Sequence, residues 1–188
     1  MKCWMQTHNG IAVDLLNPKP EHILLEDIGH ALARLARFNG HLRQTYTVAE
    51  HCIHVASLLP PQLKIYGLLH DATEAYMGDL ITPIKDMCPE FRRIESVLED
   101  AIYAAFNLPP LGPGDKYQLK KADRTMLFAE KRTLMQFPDW HKYDGEDAQP
   151  FQYIKFWPKG IRVQAIKNRY IQAVKDAQRE METASAMA

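Results

Sequence analysis

Three ionisable side chains lie within five residues of one another inside an otherwise apolar or small stretch, Leu68-Leu69-His70-Asp71-Ala72-Thr73-Glu74-Ala75. On a helix His70 and Glu74 fall one turn apart on one face, with Asp71 beside them. A segment of this kind belongs in a packed interior. Carrying charge there is costly unless a metal ion or another partner compensates. Any fold this chain adopts must bring that compensation to residues 70–74. Two more polar residues occupy apolar helical stripes: His51 among Val48, Val55 and Leu58, and Asp123 among Leu119, Met126 and Glu130. Asp is almost never fully buried without a partner.

At 188 residues the chain suits one domain with a sizeable core. Its 23 Lys+Arg balance 23 Asp+Glu, whereas proteins that bind nucleic-acid polymers usually show a basic excess. No such polymer is expected as a partner, although a local cation cluster can still hold one small phosphorylated ligand. Cys3, Cys52 and Cys88 are odd in number, widely spaced and without a Cys-x-x-Cys pair. That argues against a disulfide framework or thiolate zinc site and fits a reducing compartment. No stretch approaches the roughly 18 apolar residues of a membrane span, and the start does not resemble a signal peptide. No membrane partner is expected, and the expected location is cytoplasmic.

Hydrophobic periodicity predicts a mostly helical single domain. Asn9-Gly10 between short alternating stretches is the strongest short-range hairpin signal, so residues 1–16 are expected to form a β-hairpin. Leu24, Ile28, Ala31, Leu35 and Phe38 predict an amphipathic helix over about 22–37, ended by Asn39-Gly40. Thr47-Val48-Ala49-Glu50 reads as a capping box opening a second helix, with His51 in a core-facing slot. Pro61 suits the first turn of a third helix, running to about Met77 through the His-Asp pair. Gly78-Asp79 and Thr82-Pro83 are expected in an extended loop. Helices over 89–107 and 115–136 complete a helical core spanning 22–136. Residues 137–158, with Trp140, Phe151, Phe156 and Trp157, read as an ordered aromatic loop before a last helix over 159–180.

Singly, these polar residues have ordinary explanations. A buried His usually finds a hydrogen-bond partner, and Lys120 or Arg124 could pair with Asp123. Together, His51, His70, Asp71 and Asp123 come from three predicted helices and supply two imidazoles and two carboxylates. Bundle interiors are a natural place for such side chains to converge. The mixed nitrogen and oxygen donors suit a divalent transition ion such as Co, Mn, Zn, Fe or Ni. Glu74 would then stand beside the ion without ligating it, where a group can orient or deprotonate an attacking water. His54, one turn after His51, is the next ligand candidate. His30 is expected to pair with Glu26, and Arg43 reads as a solvated charge.

Val48-Ala49-Glu50-His51, Leu69 to Ala75, Gly78-Asp79, Thr82-Pro83-Ile84-Lys85 and Ala122-Asp123 resemble the ordered motifs of HD-domain metal-dependent phosphohydrolases. The nearest branch is the 5′-deoxynucleotidase-like group of small bacterial and phage enzymes. The resemblance covers about residues 30–130. It implies an all-α HD-domain helical bundle carrying the small hairpin. It also implies His51, His70, Asp71 and Asp123 as metal ligands, with Glu74 and Asp79 as catalytic residues near the water and phosphate. Dinuclear members of the superfamily need extra His ligands between the second and last of these motifs. No His lies between Asp71 and Asp123, so a single ion is implied. Glu74 is followed by Ala75, unlike the Glu-Asp of the branch that hydrolyses guanosine tetraphosphate.

Arg37-Phe38 resembles an Arg-aromatic pair that in this group contacts the nucleotide, the Arg on phosphate and the ring against sugar or base. The aromatic there is usually Trp. Pro83 would rigidify the loop beside the sugar, and Lys85 would meet phosphate as a compact point charge. The implied activity is hydrolysis of the 5′-phosphate ester of deoxynucleoside monophosphates to deoxynucleoside and phosphate, in a homo-oligomer. The same ligands would serve a triphosphohydrolase releasing triphosphate from a deoxynucleoside triphosphate such as dATP. A non-catalytic nucleotide-binding module would also keep the fold. Two cations match a dianionic monophosphate, and a triphosphate needs more.

Overall fold

The computed structural model describes residues 3–136 and 162–186. The aromatic loop expected at 137–158 lies outside them, as do residues 159–161 of the expected last helix. The described chain is mostly helical, with one small antiparallel sheet near the N-terminus. Strands β1 (Trp4–Gln6) and β2 (Ala12–Asp14) pair with Met5 opposite Val13. Gly10 supplies the positive φ of the connecting turn, +82°. Val13 is buried while Ala12 and Asp14 are exposed, so the hairpin presents one face to the helices.

The first helix is shorter than periodicity predicts: α1 is Leu25–Leu32, preceded by a 3₁₀ turn at Pro20–His22. Tertiary pairing overrides the pattern beyond Leu32. Ala36 bridges Thr47, and the Val48 N–H donates to the Leu35 carbonyl at 3.0 Å. Those bonds draw the chain out of the helix, and Phe38, Asn39 and Gly40 turn it through left-handed conformations (φ +52°, +50° and +78°). Arg37 and Phe38 therefore sit on a tight turn, not at a helix end. Helix α2 (Val48–Ser57) opens with the expected capping box, both Thr47 and Glu50 exchanging hydrogen bonds.

The predicted third helix is interrupted. A 3₁₀ turn (Pro61–Leu63) leads into α3 (Lys64–Leu69), and α4 (Glu74–Met77) resumes after the His-Asp pair. Between them the bonds tighten to three-residue spacing, Ala72 N–H to Leu69 O, Glu74 N–H to Asp71 O and Ala75 N–H to Ala72 O. With that winding, residues three apart eclipse. Glu74 consequently shares a face with Asp71 more than with His70. The loop expected at Thr82-Pro83 is instead a helical turn, α5 (Thr82–Lys85), because proline suits a first helical turn. Helices α6 (Pro89–Ala105), α7 (Pro113–Leu134) and α8 (Val163–Ala186) follow, the last extending beyond the predicted end at 180.

Helices α2 and α3 form the central pair, with α7 against both and α8 against α1, α2 and α3. The buried Tyr170 of α8 donates its hydroxyl to the Leu68 carbonyl at 2.8 Å, meeting a helix-end acceptor that tightened winding leaves free. Among the described residues no helix is long and apolar enough to cross a membrane.

Candidate metal centre

Helices α2, α3 and α7 bring the four expected ligands together. His51 is completely buried in the second turn of α2, and its Nε2 lies 3.1 Å from Asp123 Oδ1 and 3.6 Å from Asp71 Oδ2. His70 Nε2 lies 3.3 Å from His51 Nε2, 3.3 Å from Asp71 Oδ2 and 3.8 Å from Asp123 Oδ1. One ligand atom each of His51, His70 and Asp71 falls within 4.8 Å of the others, so these three could hold a metal ion. Asp123 reaches both imidazoles from α7. His70 Nδ1 donates to the Gly67 carbonyl at 2.8 Å, which leaves Nε2 facing the cluster. Burial opposes ionisation of Asp123, but hydrogen bonds from His51 and His70 outweigh it and hold the carboxyl well below the usual range.

Glu130 is a participant that motif reading passes over. It is fully buried on α7, and His51 Nδ1 donates to its Oε1 at 2.6 Å. Arg37 Nη2 donates to its other oxygen at 3.3 Å, and the Tyr46 hydroxyl bonds it as well. The available signal was position: Glu130 lies seven residues after Asp123, two turns on, in the same apolar stripe. Arg37 Nη1 also lies 3.6 Å from Asp71 Oδ2. Burial works against its charge, yet Glu130, Asp71, Asp123 and Asp79 overcome that and raise its pKa. Phe38 lies beside it, its ring centroid 5.6 Å from the guanidinium carbon.

Glu74 is 4% exposed, with Lys85 Nζ 3.7 Å from Oε1 and no hydrogen-bond partner for Oε2. Burial first, then the charges of Asp71 and Asp79, push its carboxyl well above the usual range. Burial likewise raises Asp79, opposed by Arg37. Lys85 is less free than the sequence suggests, since it donates to Glu95 Oε1 at 2.7 Å. Pro83 is exposed in the first turn of α5.

Other expectations are corrected. His54 is buried away from the ligand set, its Nδ1 2.9 Å from Tyr46 Oη. Glu26 pairs with Lys167 of α8 instead of His30, because α8 packs along α1; His30 stacks on His8 at 3.5 Å. Arg43 is not merely solvated: its backbone N–H and its Nη2 donate to Leu134 O and Gln136 O, both at 2.9 Å, at the end of α7.

The donor chemistry fits a divalent cation. Among the described residues five carboxylates gather here (Asp71, Glu74, Asp79, Asp123, Glu130) around His51 and His70, with Arg37 and Lys85 as the neighbouring cations. Gathering so many acidic groups in one site is costly without a cation among them, and one buried oxygen of Glu74 still lacks a partner.

No family model matches the chain. Over 149 residues it is 33% identical to "Uncharacterized protein RCAP_rcc00048" of Rhodobacter capsulatus, a match covering 73% of this chain and 76% of that protein. It is 36% identical over 114 residues to "Uncharacterized protein YfdR" of Escherichia coli (strain K12), covering 61% of this chain and 62% of that relative, less than two thirds of its length.

Proposed function

The chain belongs to one family with the Rhodobacter capsulatus protein RCAP_rcc00048, and we propose that it is an HD-domain metal-dependent phosphohydrolase acting on the 5′-phosphate of deoxynucleoside monophosphates. The observation that carries this reading is the cluster of His51, His70 and Asp71, with Asp123 reaching both imidazoles, beside a buried carboxylate, Glu74, that has a partnerless oxygen. Those four side chains would hold one divalent transition ion: Co, Mn, Zn, Fe or Ni. When bound, the ion supplies Lewis acidity toward a phosphoryl oxygen and toward water.

The chain's own residues do the rest. Glu74 Oε2, buried and without a partner, is suited to orient an attacking water, and to accept its proton once a cation nearby offsets the burial and the Asp71 and Asp79 charges that raise this carboxyl. Asp79, whose carboxyl burial keeps raised, is suited to protonate the departing 5′-oxygen. Arg37 and Lys85 offset charge developing on the phosphate from within a low-dielectric site. The Phe38 ring, beside Arg37, offers a face for sugar or base. Both cations are already shared with carboxylates of the chain, which leaves little positive charge for a triphosphate and favours the monophosphate.

The test is a product analysis with purified protein, Mn²⁺ or Co²⁺, and a panel of deoxynucleoside mono- and triphosphates. The expected products are deoxynucleoside and inorganic phosphate from the monophosphates. Triphosphate released from deoxynucleoside triphosphates, with monophosphates untouched, assigns the alternative activity. Binding without hydrolysis of any of them assigns a non-catalytic nucleotide-binding module.

A further inference from the structure

We propose that Glu130 is the positioning residue of the metal centre: it sets which nitrogen of His51 faces the ion and, through Arg37, braces Asp71. This inference rests on the metal reading above and deepens it. Imidazole can ligate only through a nitrogen whose lone pair is free, and a hydrogen bond at the other nitrogen decides which that is. His51 Nδ1 lies 2.6 Å from Glu130 Oε1, while Nε2 is the atom turned toward His70, Asp71 and Asp123. With the Nδ1 proton kept by Glu130, a cation displaces the Nε2 proton that now faces Asp123 and takes the Nε2 lone pair. A carboxylate acceptor also makes the imidazole a stronger donor to the ion.

The two histidines are oriented by different means. His70 Nδ1 donates to a main-chain carbonyl, that of Gly67, which the helix itself holds. His51 depends on one side chain reaching across from α7. That side chain is 0% exposed, and a lone buried carboxylate against a neutral imidazole is unfavourable. Arg37 resolves this. Its Nη2 meets Glu130 Oε2 at 3.3 Å, and its Nη1 lies 3.6 Å from Asp71 Oδ2. Glu130 and Arg37 thus link His51 and Asp71 from behind the ligand atoms. No substrate contact is needed for this role, which distinguishes it from that of Glu74.

The experiment titrates wild type, Glu130→Gln and Glu130→Ala with Co²⁺, reading affinity by calorimetry and ligand field by visible absorption. Folding is monitored by circular dichroism. Glu130→Gln keeps the shape and one acceptor oxygen but loses the charge. Both variants should bind Co²⁺ about 10–100-fold more weakly, with an altered absorption band and Glu130→Ala the more affected. Wild-type affinity and spectrum in both variants would overturn the inference while leaving the metal reading intact. A wild-type protein that binds neither Co²⁺ nor Mn²⁺ would overturn both. A second measurement needs no variant: ¹⁵N NMR of Zn²⁺-loaded wild type should show the His51 proton on Nδ1 in a strong hydrogen bond. A proton on Nε2 would overturn the inference.

Discussion

Gly67 offers a direct test of how the fold sets the spacing of the metal ligands. A Cβ at this position would stand 2.5 Å from Leu59 Cδ1, 3.0 Å from Ala56 Cα and 3.2 Å from Ala56 N. Leu59 Cδ1 is the end of a flexible side chain and can rotate away. The Ala56 atoms are α2 backbone and cannot. Ordinary carbon contacts lie at about 3.5–4.0 Å, so Gly67→Ala must push α2 and α3 apart by about half an ångström. Overpacking of this kind costs about 1–3 kcal/mol. For a chain this size each kcal/mol lowers Tm by about 2–4 °C, so a fall of about 2–12 °C is expected by thermal denaturation. The two helices carry His51 and His70, with Nε2 atoms 3.3 Å apart, and sites lose function when their groups drift by about 0.5 Å. Co²⁺ affinity measured by calorimetry should therefore fall as well. Gly29→Ala is the matched control. The atoms nearest its Cβ would be side-chain atoms of Ile171 and Tyr170, and α1 supplies no ligand. It should leave Co²⁺ affinity unchanged. A Gly67→Ala protein with wild-type Tm refutes the packing argument; a lowered Tm with unaltered Co²⁺ affinity refutes the link from helix spacing to the site.

Asp123→Ala should lose both bound metal and activity, read by metal content after dialysis and by phosphate release; retention of the ion would remove Asp123 from the ligand set. Glu74→Gln should keep the metal and slow hydrolysis by about 10²–10⁴-fold, the usual scale for a general base, and a wild-type rate would make Glu74 structural. His54 provides a pH test. Burial lowers its pKa from 6.5 to about 4, so below pH 6.5 the unfolded chain binds a proton that the folded chain refuses. Stability is then lost as pH falls from 6.5 toward 4, by up to about 3 kcal/mol at about 1.4 kcal/mol per pH step. Urea denaturation of His54→Gln across that range should show a shallower fall, and an unchanged slope would place the acid sensitivity elsewhere.

Local chemistry was readable from sequence where a short segment decides its own conformation. Asn9-Gly10 announces the hairpin and Thr47 to Glu50 its reciprocal cap, because each device is complete within four residues. The convergence of His51, His70 and Asp123 could be anticipated because polar residues in apolar stripes need partners. Readings that depended on distant atoms fared differently. Periodicity carried the first helix to residue 37, yet pairing with Thr47 and Val48 ends it near Leu32. Arg37 and Lys85 looked like free cations, but carboxylates from α7 and α6 claim them. Glu130 sat in view on the Asp123 stripe. Its role depends on a contact with His51 that spans 79 residues, which no local pattern records.

The central claim, that these side chains hold one divalent ion needed for phosphate-ester hydrolysis, is tested most directly by metal reconstitution. The protein is stripped with a chelator, dialysed, and returned to Mn²⁺ or Co²⁺ in steps while phosphate released from deoxynucleoside monophosphates is followed. The account predicts no release from the stripped protein and a rise that saturates at about one ion per chain, as a single site built from three or four protein ligands requires. Full activity in the stripped protein, or no phosphate release at any metal loading, would contradict it.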